Sequence, residues 1–187
     1  RKTDCTEYNV RKGFMMSNFK LEIPNENHQA EYERIMTEWE QLEENIQPQL
    51  MQRYSKKRNG YIPYNIWLSY CEDDRTTGSM LSTHIPCTLF FCVKDNKEIV
   101  GGIVLNHADT RRGHLHAGIV PWCRCQGYGT EMLRLALQEC KIRGIKKVHI
   151  APYKDNKAAI QTILNNGGCL IEEFIDDGRL SLKYEIK

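Results

Sequence analysis

One stretch of ten residues constrains this chain more than any other: Pro121-Trp122-Cys123-Arg124-Cys125-Gln126-Gly127-Tyr128-Gly129-Thr130. Ahead of it, His114–Val120 reads as a strand. Behind it, Thr130–Arg143 sets Leu133, Ala136, Leu137 and Cys140 on one stripe, the period of a helix, and Gly144 ends it. Two glycines therefore stand at a helix start, where each costs roughly 0.5–1 kcal/mol relative to alanine, so their placement needs a physical reason. Bare backbone lets a ligand approach closely, and the first amides of a helix are unpaired donors at its positive end. That arrangement is an anion cradle suited to phosphate or diphosphate, and Arg124 adds a charge. A Walker loop would need GxxxxGK[ST], and a dinucleotide fingerprint would need glycine where Met132 stands. Taken alone, the glycines fit a plain helix start equally well.

The flanking elements narrow the choice. Phe19–Ile23 alternates and stops at Pro24, a strand; Tyr32, Ile35, Met36, Trp39, Leu42 and Ile46 then recur at helical spacing over about 28–46. A basic cluster (Arg53, Lys56, Lys57, Arg58) with Asn59-Gly60 leads to a short helix from Pro63 to Cys71, and polar residues 72–84 read as a loop. Thr88–Val93 and Ile99–Leu105 form a hairpin around Lys94–Glu98. After the glycine-rich junction, Lys147–Ala151 is a strand and Asn156–Asn166 a helix ending at Gly167-Gly168. Cys169–Ile175 and Leu180–Ile186 close the chain as a hairpin. Early hairpins followed by strand–helix–strand predict a mixed α/β fold with a partly parallel sheet.

With 187 residues, 41% hydrophobic and 27% charged, the chain has the make-up of one folded domain. Residues 1–16 are set aside as an added or disordered leader, and 17–187 as a single domain. A net charge of 26 − 24 = +2 gives no electrostatic ground for a nucleic-acid or membrane partner. No apolar run is long enough to span a bilayer. The eight cysteines contain no CxxC pair, so no metal site is expected from them; reduced thiols in a cytoplasmic protein are. The exposed edge strand of the closing hairpin leaves room for a homodimer.

In this context Ile119-x-Pro121-x-x-Arg124-x-x-Gly127-x-Gly129, followed by Lys154-Asp155-Asn156 and Asn166-Gly167-Gly168, resembles the GNAT superfamily of acetyl-CoA-dependent N-acetyltransferases. The nearest resemblance is to a bacterial branch of predicted acetyltransferases with Gly-His ahead of the loop, here Gly113-His114. The resemblance implies a central sheet flanked by helices and splayed at the strand before the loop. It implies acetyl-CoA as co-substrate and an amine of a small molecule or peptide as acceptor. Ala117, Gly118 and Ile119 would pair with the pantetheine arm and polarise the thioester carbonyl. The amides of Cys125, Gln126, Gly127, Tyr128, Gly129 and Thr130, with Arg124, would hold the diphosphate. Asn156 would bond the arm; as a residue, it is an equally good helix cap.

A tyrosine often found seven residues after that asparagine is Ile163 here, which cannot protonate a leaving thiolate. That departure favours, as the alternative, a coenzyme-binding scaffold without chemistry. An amine attacking a thioester needs a base, because alkylammonium groups are mostly protonated at pH 7. His114 and His116 share one face of their strand and are the candidates; His107 and Asp109 in the preceding loop are weaker ones. A covalent route through Cys123 or Cys125 is disfavoured, since both should face the diphosphate.

Overall fold

A computed structural model describes residues 18–42, 44–53, 62–76 and 85–187. The leader 1–16, the basic stretch Lys56–Arg58 with Asn59-Gly60, and positions 77–84 of the expected loop lie outside the described residues.

Strands β1 (Phe19–Glu22), β2 (Cys87–Lys94), β3 (Glu98–Asn106) and β4 (Leu115–Ile119) form one sheet in that order. Strands β5 (Val148–Ile150), β6 (Cys169–Asp176) and β7 (Arg179–Ile186) form a second, ordered β5-β7-β6. Helices α1 (Gln29–Glu40) and α2 (Tyr64–Thr76) lie between β1 and β2 in sequence; α3 (Tyr128–Ile142) and α4 (Lys157–Asn165) flank β5.

β2 and β3 are buried almost throughout because both faces are covered. On one face Phe91 stacks with Trp67 of α2 and Tyr32 of α1, the latter two with ring centroids 4.5 Å apart. These rings carry polar tips that need partners when buried. Tyr32 Oη donates to the Met51 carbonyl at 2.6 Å, and Trp67 Nε1 to the Leu50 carbonyl at 3.2 Å. Phe90 points the other way, under the Arg143 guanidinium at the end of α3. Tyr128, opening α3, packs on Phe19 of β1.

Helix α1 stops at Glu40, although its apolar period continues to Ile46. Tertiary packing overrides the pattern there: the segment around Gln47–Met51 leaves the helix to cover β3 and β4. A Cβ on Gly102 would lie 2.5 Å from Met51 Sδ, and one on Gly118 would overlap the Gln47 carbonyl. Helix α2 runs past Cys71 to Thr76, its last turn held by Arg75 on Glu72 and by Thr76 Oγ1 on the Glu72 carbonyl.

Every strand ladder among the described residues is antiparallel, where a partly parallel sheet is expected. β4 and β5, joined through α3, are the pair expected to run parallel, but no ladder forms between them among the described residues, and the bridge where they meet is antiparallel. Among the described residues the sheets meet at a single antiparallel bridge, Gly113↔Ile150, with His114 N donating to the His149 carbonyl at 2.7 Å. Gly113 has φ +92°, and a side chain there would overlap the His149 carbonyl, so only glycine allows this approach. Beyond that point no strand among the described residues pairs with the outer edge of β4, which is the expected splay.

Candidate active site

The junction between β4 and α3 begins with a single turn, Pro121–Cys123, and reaches the helix through Cys125 at φ +59° and Gly127 at φ +81°. Gly127 caps the helix with no side-chain bond, and a Cβ built on it would meet nothing within 4 Å. Among the described residues the amides of Gln126, Gly127, Tyr128 and Gly129 make no backbone hydrogen bond. They are the orphan donors of a helix start, left open to an anion. Thr130, expected among them, instead gives its amide to the Gly127 carbonyl at 3.1 Å.

Arg124 lies less free than expected. Its Nη1 pairs with Glu44 Oε2 at 2.7 Å and its Nε donates to the Ile119 carbonyl at 3.2 Å, over the buried Trp39. Gln126 turns back to the Trp122 carbonyl. Asn156 is the N-cap of α4, its Oδ1 accepting from the Ala159 amide at 3.1 Å. Ile163 is buried against Gly168 as a core residue.

Along β4 the register with β3 decides which peptide groups face the opening. Val120 N donates to the Val100 carbonyl and Asn106 N to the His114 carbonyl. The intervening pairs Gly102↔Gly118 and Val104↔His116 continue that phase. Hydrogen-bonded pairs alternate along an antiparallel ladder, so Leu115, Ala117 and Ile119 turn their backbone outward. Gly118, expected to act with its neighbours, is paired inward. Ala117 is exposed at the opening.

His116 shares a β4 face with Gly118, the face covered by Gln47–Met51, and burial pushes its pKa down to about 4. His114 is buried; desolvation lowers its pKa against the opposing pull of Asp109, and its Nδ1 accepts from the His149 amide at 3.1 Å. His107 bonds Thr88 Oγ1 at 2.8 Å, its pKa lowered by burial and by Arg143 and Arg75. Asp109 bonds His149 and Lys183, and these partners hold its pKa below the usual value despite burial.

Cys123 is buried near Glu98, and burial pushes its thiol up to about 11, the reverse of an activated nucleophile. Cys125 is disulfide-bonded, against the expectation of reduced thiols, whereas Cys71, Cys87, Cys92, Cys123, Cys140 and Cys169 are thiols.

The sequence reading missed His149 and Lys183, which meet Asp109, and Glu185, which backs His149 on the same face of β5 and β7. Their only trace in the sequence is alternation: His149 stands between Val148 and Ile150, and Glu185 between Tyr184 and Ile186.

This geometry agrees with comparison against known proteins. The profile of the acetyltransferase (GNAT) family matches residues 39–165, about two thirds of the chain, and the protein belongs to that family. No curated protein sequence matches it. The fold is similar to that of the Microcin C7 self-immunity acetyltransferase, solved with acetyl-CoA and AMP, at a TM-score of 0.60 and 16% identity, covering 89% of this chain and 91% of that one. A ribosomal L7/L12 alpha-N-protein acetyltransferase in complex with coenzyme A gives 0.62 and 13%, over 90% and 93%. A spermidine N-acetyltransferase chimera from Vibrio cholerae gives 0.58 and 13%, over 90% and 94%. No helix of the described residues is long and apolar enough to cross a membrane.

Proposed function

We propose that this chain, as a single domain over 17–187, transfers the acetyl group of acetyl-CoA directly to an amine of a small molecule or peptide. The observation that carries the reading is the uncapped start of α3 beside the open edge of β4. The structural neighbours, which include acetyltransferases of spermidine and of a protein N-terminus, support that range of acceptors.

Acetyl-CoA would supply an acetyl thioester already activated for attack. The amides of Gln126 to Gly129 would hold its diphosphate, with Cys125 and Arg124 at the margin. The outward peptide groups of Ala117 and the outward amide of Ile119, whose carbonyl is held by Arg124, would receive the pantetheine arm, and one such amide on the thioester oxygen would contribute a few kcal/mol. The side-chain amide nitrogen of Asn156 would bond the arm while its oxygen caps α4.

His116 is the better base of the two candidates, because His114 Nδ1 is committed to a backbone amide. Its depressed pKa keeps the ring neutral and able to accept a proton, and places its help at the lower end of the usual ~10²–10⁴-fold. With Ile163 in the core, no acid is assigned; a thiol of pKa near 8.5 leaves without one.

The test is thiol release from acetyl-CoA with a panel of amines. Saturable release with at least one amine, lowered by His116→Ala without change in acetyl-CoA binding, is expected. Binding and thermal stabilisation with no turnover on any amine would instead favour the scaffold reading, to which the buried Ile163 lends weight. No stabilisation at all would end both.

A further inference from the structure

Where the two sheets touch, three potential ligands converge from three segments: Asp109 from the β3–β4 loop, His114 from the start of β4 and His149 from β5. One donor atom from each lies within 4.8 Å of the others. We propose that Asp109, His114 and His149 form a binding site for a divalent transition-metal ion of the zinc class, with Glu185 as the carboxylate behind His149. The proposal is independent of the transferase reading.

Two features beyond proximity support it. The first is spacing. Zinc bonds nitrogen and oxygen at about 2.0–2.2 Å, so tetrahedral neighbours stand about 3.3 Å apart. The observed separations bracket that value: His149 Nδ1 to Asp109 Oδ2 is 2.8 Å, and His114 Nδ1 to Asp109 Oδ1 is 3.8 Å. Adjustments of about half an ångström, within reach of a loop carboxylate, bring both to the coordination distance.

The second is the ring of His149, which has a carboxylate on each nitrogen, Asp109 at 2.8 Å and Glu185 Oε2 at 3.4 Å. A neutral imidazole has one N–H and can satisfy one of them. When Nε2–H serves Glu185, the Nδ1 lone pair faces the Asp109 carboxylate, and a cation between them removes the conflict. A metal-bound histidine handing its other N–H to a carboxylate is the usual supporting arrangement for such ions.

Two groups compete with the ion. Lys183 Nζ lies 3.3 Å from Asp109 Oδ2 and 3.1 Å from the Thr110 carbonyl, so it is the resident cation, and the carbonyl can retain it when the carboxylate turns. The His149 amide now uses the His114 Nδ1 lone pair, and coordination costs that hydrogen bond. Lys147 and Lys187 on Glu185, at 3.4 and 3.8 Å, leave its bond to His149 in place. Affinity should therefore be moderate and should rise when Lys183 loses its charge.

The test uses the full chain, reduced, with Zn²⁺ as ligand and Co²⁺ as spectroscopic probe. Of the six histidines, only His114 and His149 should show shifted imidazole resonances as Zn²⁺ saturates at one equivalent. Co²⁺ should give the visible bands of a tetrahedral nitrogen–oxygen site. Asp109→Asn and His149→Gln should weaken Zn²⁺ binding by more than the roughly 10–100-fold expected of Glu185→Gln. Lys183→Met should tighten it several-fold. Failure of the unaltered chain to saturate below millimolar Zn²⁺, a Co²⁺ spectrum dominated by thiolate charge transfer, or undiminished affinity in folded Asp109→Asn would each overturn the proposal.

Discussion

Helices α3 and α4 both follow a strand, yet their first turns are finished in opposite ways. At α4 the chain closes its own helix: Asn156 Oδ1 takes the Ala159 amide. At α3 the cap is a left-handed glycine with no side chain to offer, and four consecutive amides from Gln126 to Gly129 are left without a backbone partner among the described residues. The sequence has the means to cap a helix and uses them once. Donors withheld at the other start are a feature of the site, because leaving orphan amides uncapped forgoes about 1 kcal/mol that a capping side chain supplies.

The largest effect should follow from filling the open start. Gly127→Val forces a β-branched residue to φ +81°, costing roughly 1–2 kcal/mol. It should also abolish the stabilisation of about 2.7 kcal/mol that acetyl-CoA gives at 100 times its dissociation constant. Gly127→Asn separates the two effects: asparagine tolerates that backbone, and the space around its Cβ is empty, so the melting temperature should hold while the ligand-induced shift disappears. An undiminished shift in Gly127→Asn would place the diphosphate elsewhere.

At the closed start, Asn156→Ala should lower stability by about 0.5–2 kcal/mol in denaturant titration. Asn156→Ser restores the cap without the amino group, so any acetyl-CoA affinity it still lacks measures the contact with the arm. Smaller again, Gly129→Ala should stabilise the free protein by roughly 0.5–1 kcal/mol, since its Cβ would make ordinary contacts with Thr162 and Ile119. The same methyl should weaken acetyl-CoA binding; a variant that gains stability and binds normally would show that the second glycine is not there for the ligand.

Glu44→Gln releases Arg124 from a half-exposed pair worth at most about 1 kcal/mol. It should tighten acetyl-CoA binding a few-fold at low salt and not at high salt. Last, alkylation near neutral pH should modify exposed Cys169, just past α4, and spare Cys123, beneath α3, whose thiol is pushed up to about 11. Rapid loss of Cys123 would revive a covalent route.

Much of this contrast can be read without coordinates. The strands lie within a residue or two of the spans expected from the sequence, and α3 and α4 follow their apolar periods, because local pattern and tertiary packing agree there. The reading fails where a distant segment decides. Leu42 and Ile46 continue the α1 period, but the chain at Gln47–Met51 leaves the helix to cover Gly102 and Gly118. Residues 72–76 lack an apolar stripe, and ion pairing on the surface keeps them helical. The parallel pairing inferred from strand–helix–strand order does not form: the segments before β4 and along β5 meet at one antiparallel bridge, set by Gly113 against the distant His149 carbonyl. In the site, the bare donors of α3 were legible from two glycines. Glu44 beside Arg124, His149 beside Asp109 and His114, and Glu185 beside His149 were not, since the histidine partnerships join residues at least 35 positions apart and the arginine one residues 80 apart.

The single bridge at Gly113 has a mechanical corollary. Two plates that share one main-chain rivet depend on the hydrophobic filling, on α3 and on the polar seam of Asp109, Arg112, His149 and Lys183 to stay aligned, and an extended guest lying along the vacant rim of β4 would serve as a temporary strand between them. Substrate would then be a building part of the protein as well as its cargo, and deuterium uptake should slow in both plates together when the guest is seated.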